Sequence, residues 1–179
     1  MEVYLIRHGK TEANEKHLYC GSTDLPLSKK GREALRNLHY DIQNVRFLTS
    51  GMKRANETLH ILFGNVPFGE DPRFREVNFG TFEMRGYEEL KDLPEYQAWI
   101  SGDNERNIPP GGESGQQMRR RVQEAFSEIK EDTVIITHGG VIAAIMEHLF
   151  PNEKKSRYEW QPQNGCGYVV QGERYSPLP

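Results

Sequence analysis

Three short apolar runs, at residues 3–7, 47–50 and 133–137, are each followed by a helical pattern, and that alternation constrains the chain more than any other feature. The last run, Thr-Val-Ile-Ile-Thr, is the most β-branched stretch in the sequence and suits a buried strand. Ser28 stands where an N-cap belongs, ahead of a helix predicted over 29–42 with Ala34, Leu35, Leu38 and Ile42 on one stripe. Residues 53–63 place Ala55, Leu59 and Leu62 on one face. Ser114, with Gln117 three positions on, forms a capping box that opens a helix predicted over 115–130, where Met118, Val122, Ala125, Phe126 and Ile129 recur at helical spacing. Gly139 and Gly140 lead into a buried helix over 141–149, stopped by Pro151. Strands separated by helices pair in parallel through crossovers, so the expected fold is α/β: a three-layer α/β/α sandwich, its sheet mostly parallel with helices on both faces.

A chain of 179 residues fits one domain spanning 1–179. Residues 65–110 differ in texture, with Pro67, Pro72, Pro94, Pro109 and Pro110 and short helical candidates at 87–90 and 96–100. They read as an insertion over one end of the sheet, too short and too polar to hold a core of its own. The formal charge of −3 argues against nucleic acid or an anionic membrane as the main partner, yet leaves room for a small basic pocket. No apolar run approaches membrane-spanning length, and the opening Met-Glu-Val-Tyr has no signal-peptide pattern, so a cytoplasmic protein is expected. Cys20 and Cys166 lie far apart without a Cys-x-x-Cys pairing, which fits two reduced thiols rather than a metal cluster or a dithiol site.

The chemistry collects where the three apolar runs end. The first delivers Arg7-His8-Gly9, the second Ser50-Gly51-Met52-Lys53-Arg54, and the third Thr137-His138-Gly139-Gly140. Ligands of open α/β sheets bind at the carboxyl ends of the strands, so the three clusters should converge. Two arginines, two histidines and the candidate Lys53, with glycines that admit close backbone approach and helix N-termini behind them, make an anion pocket suited to a phosphoryl group. Each element alone has a plainer reading: a structural histidine, a surface ion-pair partner, a turn. Their conjunction, with no acidic neighbours in sequence, marks a functional site.

The segment Arg7-His8-Gly9-Lys10-Thr11-Glu12-Ala13-Asn14 resembles the Arg-His-Gly-x-Thr-x-x-Asn motif of the histidine phosphatase superfamily, the phosphoglycerate-mutase-like proteins. The resemblance runs on through residues 21–31, Ser50-x-x-x-Arg54-Ala55-x-x-Thr58, Arg75-Glu76-x-x-Phe79-Gly80-x-Phe82-Glu83, Gly112-Glu113-Ser114 and Thr137-His138-Gly139-Gly140, and it implies a mixed sheet with a further strand at 168–170. It implies that His8 is the nucleophile, that Arg7, Asn14, Arg54, His138 and Gly139 hold the phosphoryl oxygens, and that Glu76 is the general acid. On charge alone, Arg75-Glu76 reads equally well as a solvated pair. No metal or other cofactor is implied, and the expected partner is a small phosphomonoester bound by a monomer or homodimer.

Within the family, mutases carry a longer insertion after the general-acid motif and an extended tail, so this shorter chain is expected to be a phosphatase. Leu18-Tyr19-Cys20-Gly21, the stretch 79–85 with Met84 where many relatives have Gly, and Tyr96-Gln97-Ala98-Trp99 look similar to the α-ribazole-phosphate phosphatases of cobalamin synthesis. Gly21, Ser22, Glu83, Arg85 and Tyr87 are accordingly the expected leaving-group side, with Glu83 alternatively supporting an arginine from behind. Tyr87 and Trp99 read either as a stacking surface for a base or as core aromatics. Arg119, Arg120 and Arg121 read as a solvated helix face, and His17, His39, His60 and His148 as structural or surface residues. The competing functions are a broad-specificity phosphatase, a phosphoglycerate-mutase-type enzyme and a non-catalytic phospho-ligand-binding module. A P-loop or His-Glu-x-x-His hydrolase has no sequence support.

Overall fold

The computed structural model describes every residue except Asn104. Its centre is strand β1 (Glu2–Arg7), and the six-stranded sheet has the order β3-β2-β4-β1-β5-β6. Strands β2 (Arg46–Thr49), β3 (Gly69–Glu70) and β4 (Thr133–Thr137) run parallel to β1, whereas β5 (Gly167–Gln171) and β6 (Arg174–Leu178) form an antiparallel hairpin on its other side. Arg7 pairs in register with Thr137, and Thr49 with Ile136. The residues that follow each strand, His8, Ser50 and His138, therefore emerge together at one end of the sheet.

Strand periodicity sorts the core into two layers. Ile6, Val134 and Ile136 face one way, against α3 (Lys53–Phe63), and Val3, Leu5, Leu48 and Ile135 face the other, against α6 (Gly115–Ser127) and α7 (Gly139–Leu149). Helix α2 (Lys29–Arg36) packs beside α3, and α8 (Arg157–Trp160) packs beside α7. The result is the expected three-layer, mostly parallel α/β sandwich. All five residues of β4 are buried, as are seven of the eleven in α7, because helices cover both faces of the sheet there and α7 packs against α6, α8 and β1. Each buried Val, Ile or Met among them contributes roughly 1.5–3 kcal/mol by leaving water. Among the described residues no helix is long and apolar enough to cross a membrane.

Several boundaries differ from expectation. Helix α2 stops at Arg36, not 42, because the next stretch is extended: Leu38, Tyr40 and Ile42 point inward at alternate positions, and the buried Tyr40 hydroxyl donates to the Gly165 carbonyl at 2.5 Å. Helix α6 ends at Ser127, although Ile129 still packs into the core. The four-residue α1 (Glu12–Glu15), together with β3, β6 and α8, had no strong sequence signal. Segment 65–110 is only partly an insertion, since β3 lies at the sheet edge and Phe74 belongs to the main core. Its remainder, with α4 (Tyr87–Leu90) and α5 (Pro94–Ile100), does hold a small core: Phe82, Leu90 and Tyr96 are buried together against Tyr19, Phe79 and Trp99. Five aromatic rings, four of them from this segment, supply enough area to organise a stretch that looks polar by composition.

One glycine yields a test with an unusual sign. Gly31 lies in the first turn of α2, where alanine ordinarily gains about 1 kcal/mol over glycine. A Cβ there would sit 2.1 Å from the Lys10 carbonyl oxygen, a backbone atom. Gly31→Ala is therefore expected to destabilise the fold by about 1–3 kcal/mol. Urea unfolding would measure it, and a higher midpoint would contradict the packing described.

Candidate active site

The end of β1 presents His8, which is 5% exposed. Its amide donates to the Thr137 carbonyl at 2.9 Å, its carbonyl accepts from Asn164 Nδ2 at 3.0 Å, and Nδ1 lies 2.6 Å from the Gly9 carbonyl. A carbonyl can only accept, so Nδ1 carries the proton and Nε2 keeps its lone pair. The ring of His138, the residue ahead of α7, lies 5.1 Å from that of His8 at 61°. Its Nε2 is 2.8 Å from Ser50 Oγ, and its buried Nδ1 has no partner among the described residues. Arg54, from the first turn of α3, is 1% exposed. Its two terminal nitrogens donate to the carbonyls of Thr23 and Gly21, each at 2.8 Å. Arg7 donates through Nη1 to the Pro162 carbonyl at 2.8 Å, leaving a buried Nε unpartnered. Two buried nitrogens at one sheet end, the Arg7 Nε–H and the His138 Nδ1, thus have no partner among the described residues, and the guanidinium donor suits an anion.

Glu76 comes from the irregular stretch after Phe74 and meets the N-terminus of α7: Oε2 accepts from the Gly140 amide at 2.8 Å and Oε1 from the Val77 amide at 3.0 Å. A Cβ on Gly140 would lie 2.4 Å from Glu76 Oε1, so only glycine admits this approach. Asn14 Oδ1 accepts from the Thr11 amide at 2.9 Å and from the Thr11 hydroxyl at 3.1 Å, which leaves the amide nitrogen as the group it can offer a ligand.

The surroundings hold both imidazoles neutral. Burial pushes the pKa of His8 well below the ordinary histidine value, and the Arg54 and Arg7 charges push it further, against the opposing pull of the Gly9 carbonyl. Burial does the same at His138, followed by Arg54, His8 and Arg121. Burial also lowers the pKa of Arg7, while the nearby Glu76 charge raises it.

A cavity of about 520 Å³ opens over this cluster. Arg7, Asn14, Glu76 and Gly140 line its base, with Gly139 one position earlier on α7, and Tyr19, Phe79 and Trp99 form a wall. His8, Arg54 and His138 do not line it, being buried. At the far side, Arg119 is ion-paired with Glu105 at 2.6 Å and with Glu147, and Arg157 is paired with Glu105. Lys53 is exposed, and its backbone amide donates to Asp24 Oδ1 at 2.7 Å.

The residues expected on the leaving-group side do not line this cavity. Glu83 accepts from the amides of Gly21 (2.8 Å) and Thr23 (2.9 Å) and from Ser22 Oγ (2.8 Å), so it clamps the loop whose carbonyls hold Arg54. Gly21 and Ser22 thereby belong to the support of Arg54. Arg85 pairs outward with Glu89 at 2.7 Å, and Tyr87 is exposed beside Tyr96. Trp99 does reach the cavity wall. Sequence reasoning also missed the supporting roles of Ser50, Thr58 and Asn164. Thr58 Oγ1 accepts from the Gly9 amide at 2.9 Å and donates to the Arg54 carbonyl at 2.7 Å, tying two strand-end clusters together. Ser50 and Thr58 stood within a quoted motif, whereas Asn164 had no signal. Among the described residues no group of three or more His, Cys, Asp or Glu side chains is placed to hold a metal ion.

A nucleophile-competent imidazole amid buried cations, with a carboxylate alongside, is a phosphoryl-transfer arrangement. The model of the histidine phosphatase superfamily (branch 1) matches residues 3–178. The chain belongs to that superfamily. This histidine phosphatase is 30% identical over 182 residues to the adenosylcobalamin/alpha-ribazole phosphatase of Escherichia coli K12, covering 95% of this chain and 89% of the relative. It is 32% identical over 183 residues to the Salmonella typhimurium LT2 protein of the same name, covering 95% and 90%. A 2,3-bisphosphoglycerate-dependent phosphoglycerate mutase of Cytophaga hutchinsonii is 32% identical over 166 residues, 81% of this chain and 75% of that one. Among solved structures, a phosphoglycerate mutase from Thermus thermophilus superposes with a TM-score of 0.80 at 29% identity, covering 100% of this chain and 99% of that one.

The neutral histidines carry a stability signature. Folded pKa values below the unfolded value of 6.5 mean that, as pH falls below it, the unfolded chain takes up protons that the folded one refuses. Stability from these residues is complete above about pH 6.5 and is lost as pH falls toward the folded values. The urea midpoint should drop between about pH 7.5 and 5, and a His8→Asn, His138→Asn double variant should flatten that slope. An unchanged slope in the double variant would refute the assignment.

Proposed function

We propose that this histidine phosphatase hydrolyses a phosphomonoester through a phosphohistidine at His8, and that its substrate is α-ribazole 5′-phosphate or a closely similar nucleoside monophosphate. The observation that carries the mechanism is the Nδ1-protonated, neutral His8 among Arg7, Arg54 and His138. His8 Nε2 attacks phosphorus, and the ester P–O bond breaks as Glu76 gives its proton to the departing oxygen. The carboxylate then takes a proton from water, whose oxygen attacks phosphorus and breaks the P–N bond, releasing phosphate and restoring both residues. Arg7, Arg54, His138 and the Asn14 amide receive the phosphoryl oxygens, and Gly139, at the start of α7, lets the backbone and its helix dipole approach them. Preorganised cations supply most of what a phosphoryl transfer needs.

Two observations support the leaving group. The alpha-ribazole phosphatases match 95% of this chain. The wall of Tyr19, Phe79 and Trp99 suits a flat, neutral ring, and Arg119 and Arg157 already carry carboxylate partners, so the far side offers little to the second anionic group of a phosphoglycerate.

Wild-type protein incubated with labelled α-ribazole 5′-phosphate should form an acid-labile adduct that is absent in His8→Ala, with turnover falling by at least about 10³-fold. Across a panel with nucleoside monophosphates, sugar phosphates and phosphoglycerates, released phosphate should be the product and α-ribazole 5′-phosphate the best substrate. Isomerised phosphoglycerate as the main product, or turnover unaffected in His8→Ala, would overturn the proposal.

A further inference from the structure

Helix α6 carries three consecutive arginines whose surroundings differ sharply. Arg120 is exposed and Arg119 joins the ion pairs described above, but Arg121 turns inward against the loop that carries Glu76. Its Nη1 donates to the carbonyls of Arg73 at 2.7 Å and Arg75 at 2.6 Å, and its Nη2 donates to the carbonyl of Glu76 itself at 3.0 Å. The guanidinium is also paired with Glu113, through Nε at 3.2 Å and through Nη2. Glu113 continues the strap, its carboxylate accepting from the Asn78 amide at 3.2 Å and its amide donating to the Asn78 carbonyl at 2.9 Å. The expectation of a solvated face therefore fails at Arg121.

The geometry has a specific meaning for the loop. Residues 75–79 lie in neither helix nor strand, so their carbonyls lack a regular ladder of partners. One planar, five-donor side chain supplies those partners on the residues before Glu76 and on Glu76 itself. A lysine, with a single nitrogen, cannot span the same set.

We propose that Arg121 is the positioning residue of Glu76: its guanidinium, anchored by Glu113, fixes the backbone from which the Glu76 carboxylate is aimed at the departing oxygen. The inference rests on the reading of Glu76 as proton donor.

Esters that differ in their need for that proton provide the test. The alkoxide leaving group of α-ribazole 5′-phosphate needs protonation, whereas 4-nitrophenolate departs without it, and kcat/KM reports the step in which the ester bond breaks. Arg121→Met should lose about 100-fold in kcat/KM on the alkyl ester but no more than about 5-fold on 4-nitrophenyl phosphate, with inhibition by inorganic phosphate unchanged within about 2-fold. Arg121→Lys should show the same skew with smaller amplitude, and it carries the test if the Met variant does not fold. Equal losses on both esters, a parallel loss of phosphate inhibition, or full activity in the Lys variant would overturn the proposal. Glu76→Gln, measured alongside, separates the two readings. If its profile is flat, the acid assignment falls and this inference with it; if it is skewed while the Arg121 variants are flat, only the positioning role falls.

Discussion

A guanidinium at 1% exposure with no ion pair among the described residues costs several kcal/mol to bury, and Arg54 is such a group. The structure meets that cost with backbone. Two carbonyls, from Gly21 and Thr23, receive the guanidinium, and Glu83 holds both residues by their amides. Gly21 is pressed so closely on the Val77 carbonyl that a Cβ would come within 1.7 Å of it. Two segments distant in sequence, 21–23 and 77–83, thus brace a charge carried by a third. That charge, with burial, keeps His8 and His138 neutral, which is the state an attacking imidazole needs. Without this brace the cations could not stand so close together beneath the cavity.

Much of this was legible in the sequence, for a definite reason. Apolar runs that end in Arg-His-Gly and Thr-His-Gly-Gly announce both the strands and what they deliver, and the parallel register of β1 with β4 brings the two histidines level. What is harder to read lacks periodicity. Glu83 was legible as a candidate support for an arginine, but the means was not: its partners are backbone amides about sixty residues away, which no pattern reveals. The end of α2 escaped for the opposite reason. Leu35, Leu38 and Ile42 satisfy a helical repeat, but Leu38, Tyr40 and Ile42 equally satisfy the twofold repeat that the structure uses.

The arginines of α6 make a related point. A helical pattern identifies the apolar face and says nothing about what covers the polar one. Here part of it is covered by an irregular loop whose carbonyls need donors, and a guanidinium that would be ordinary on a surface becomes structural. Segment 65–110 shows the same limit of composition, because the rings of Phe82 and Tyr96 outweigh their small number.

The placement of β1 also sets an order of assembly. Its neighbours in the sheet are β4 and β5, with Val3 paired to Thr133 on one side and to Val170 on the other. Contacts of that sequence separation carry a large loop-closure cost and form slowly. During synthesis, β1 is made well before β4 and β5 and waits as an unpaired strand until they follow it. The local helices α2 and α3 can form meanwhile, but Arg7 and His8 acquire fixed positions only when β4 and β5 close on either side. This strand-end cluster is thus completed late, even though Arg7 and His8 precede α2 and α3 in the chain.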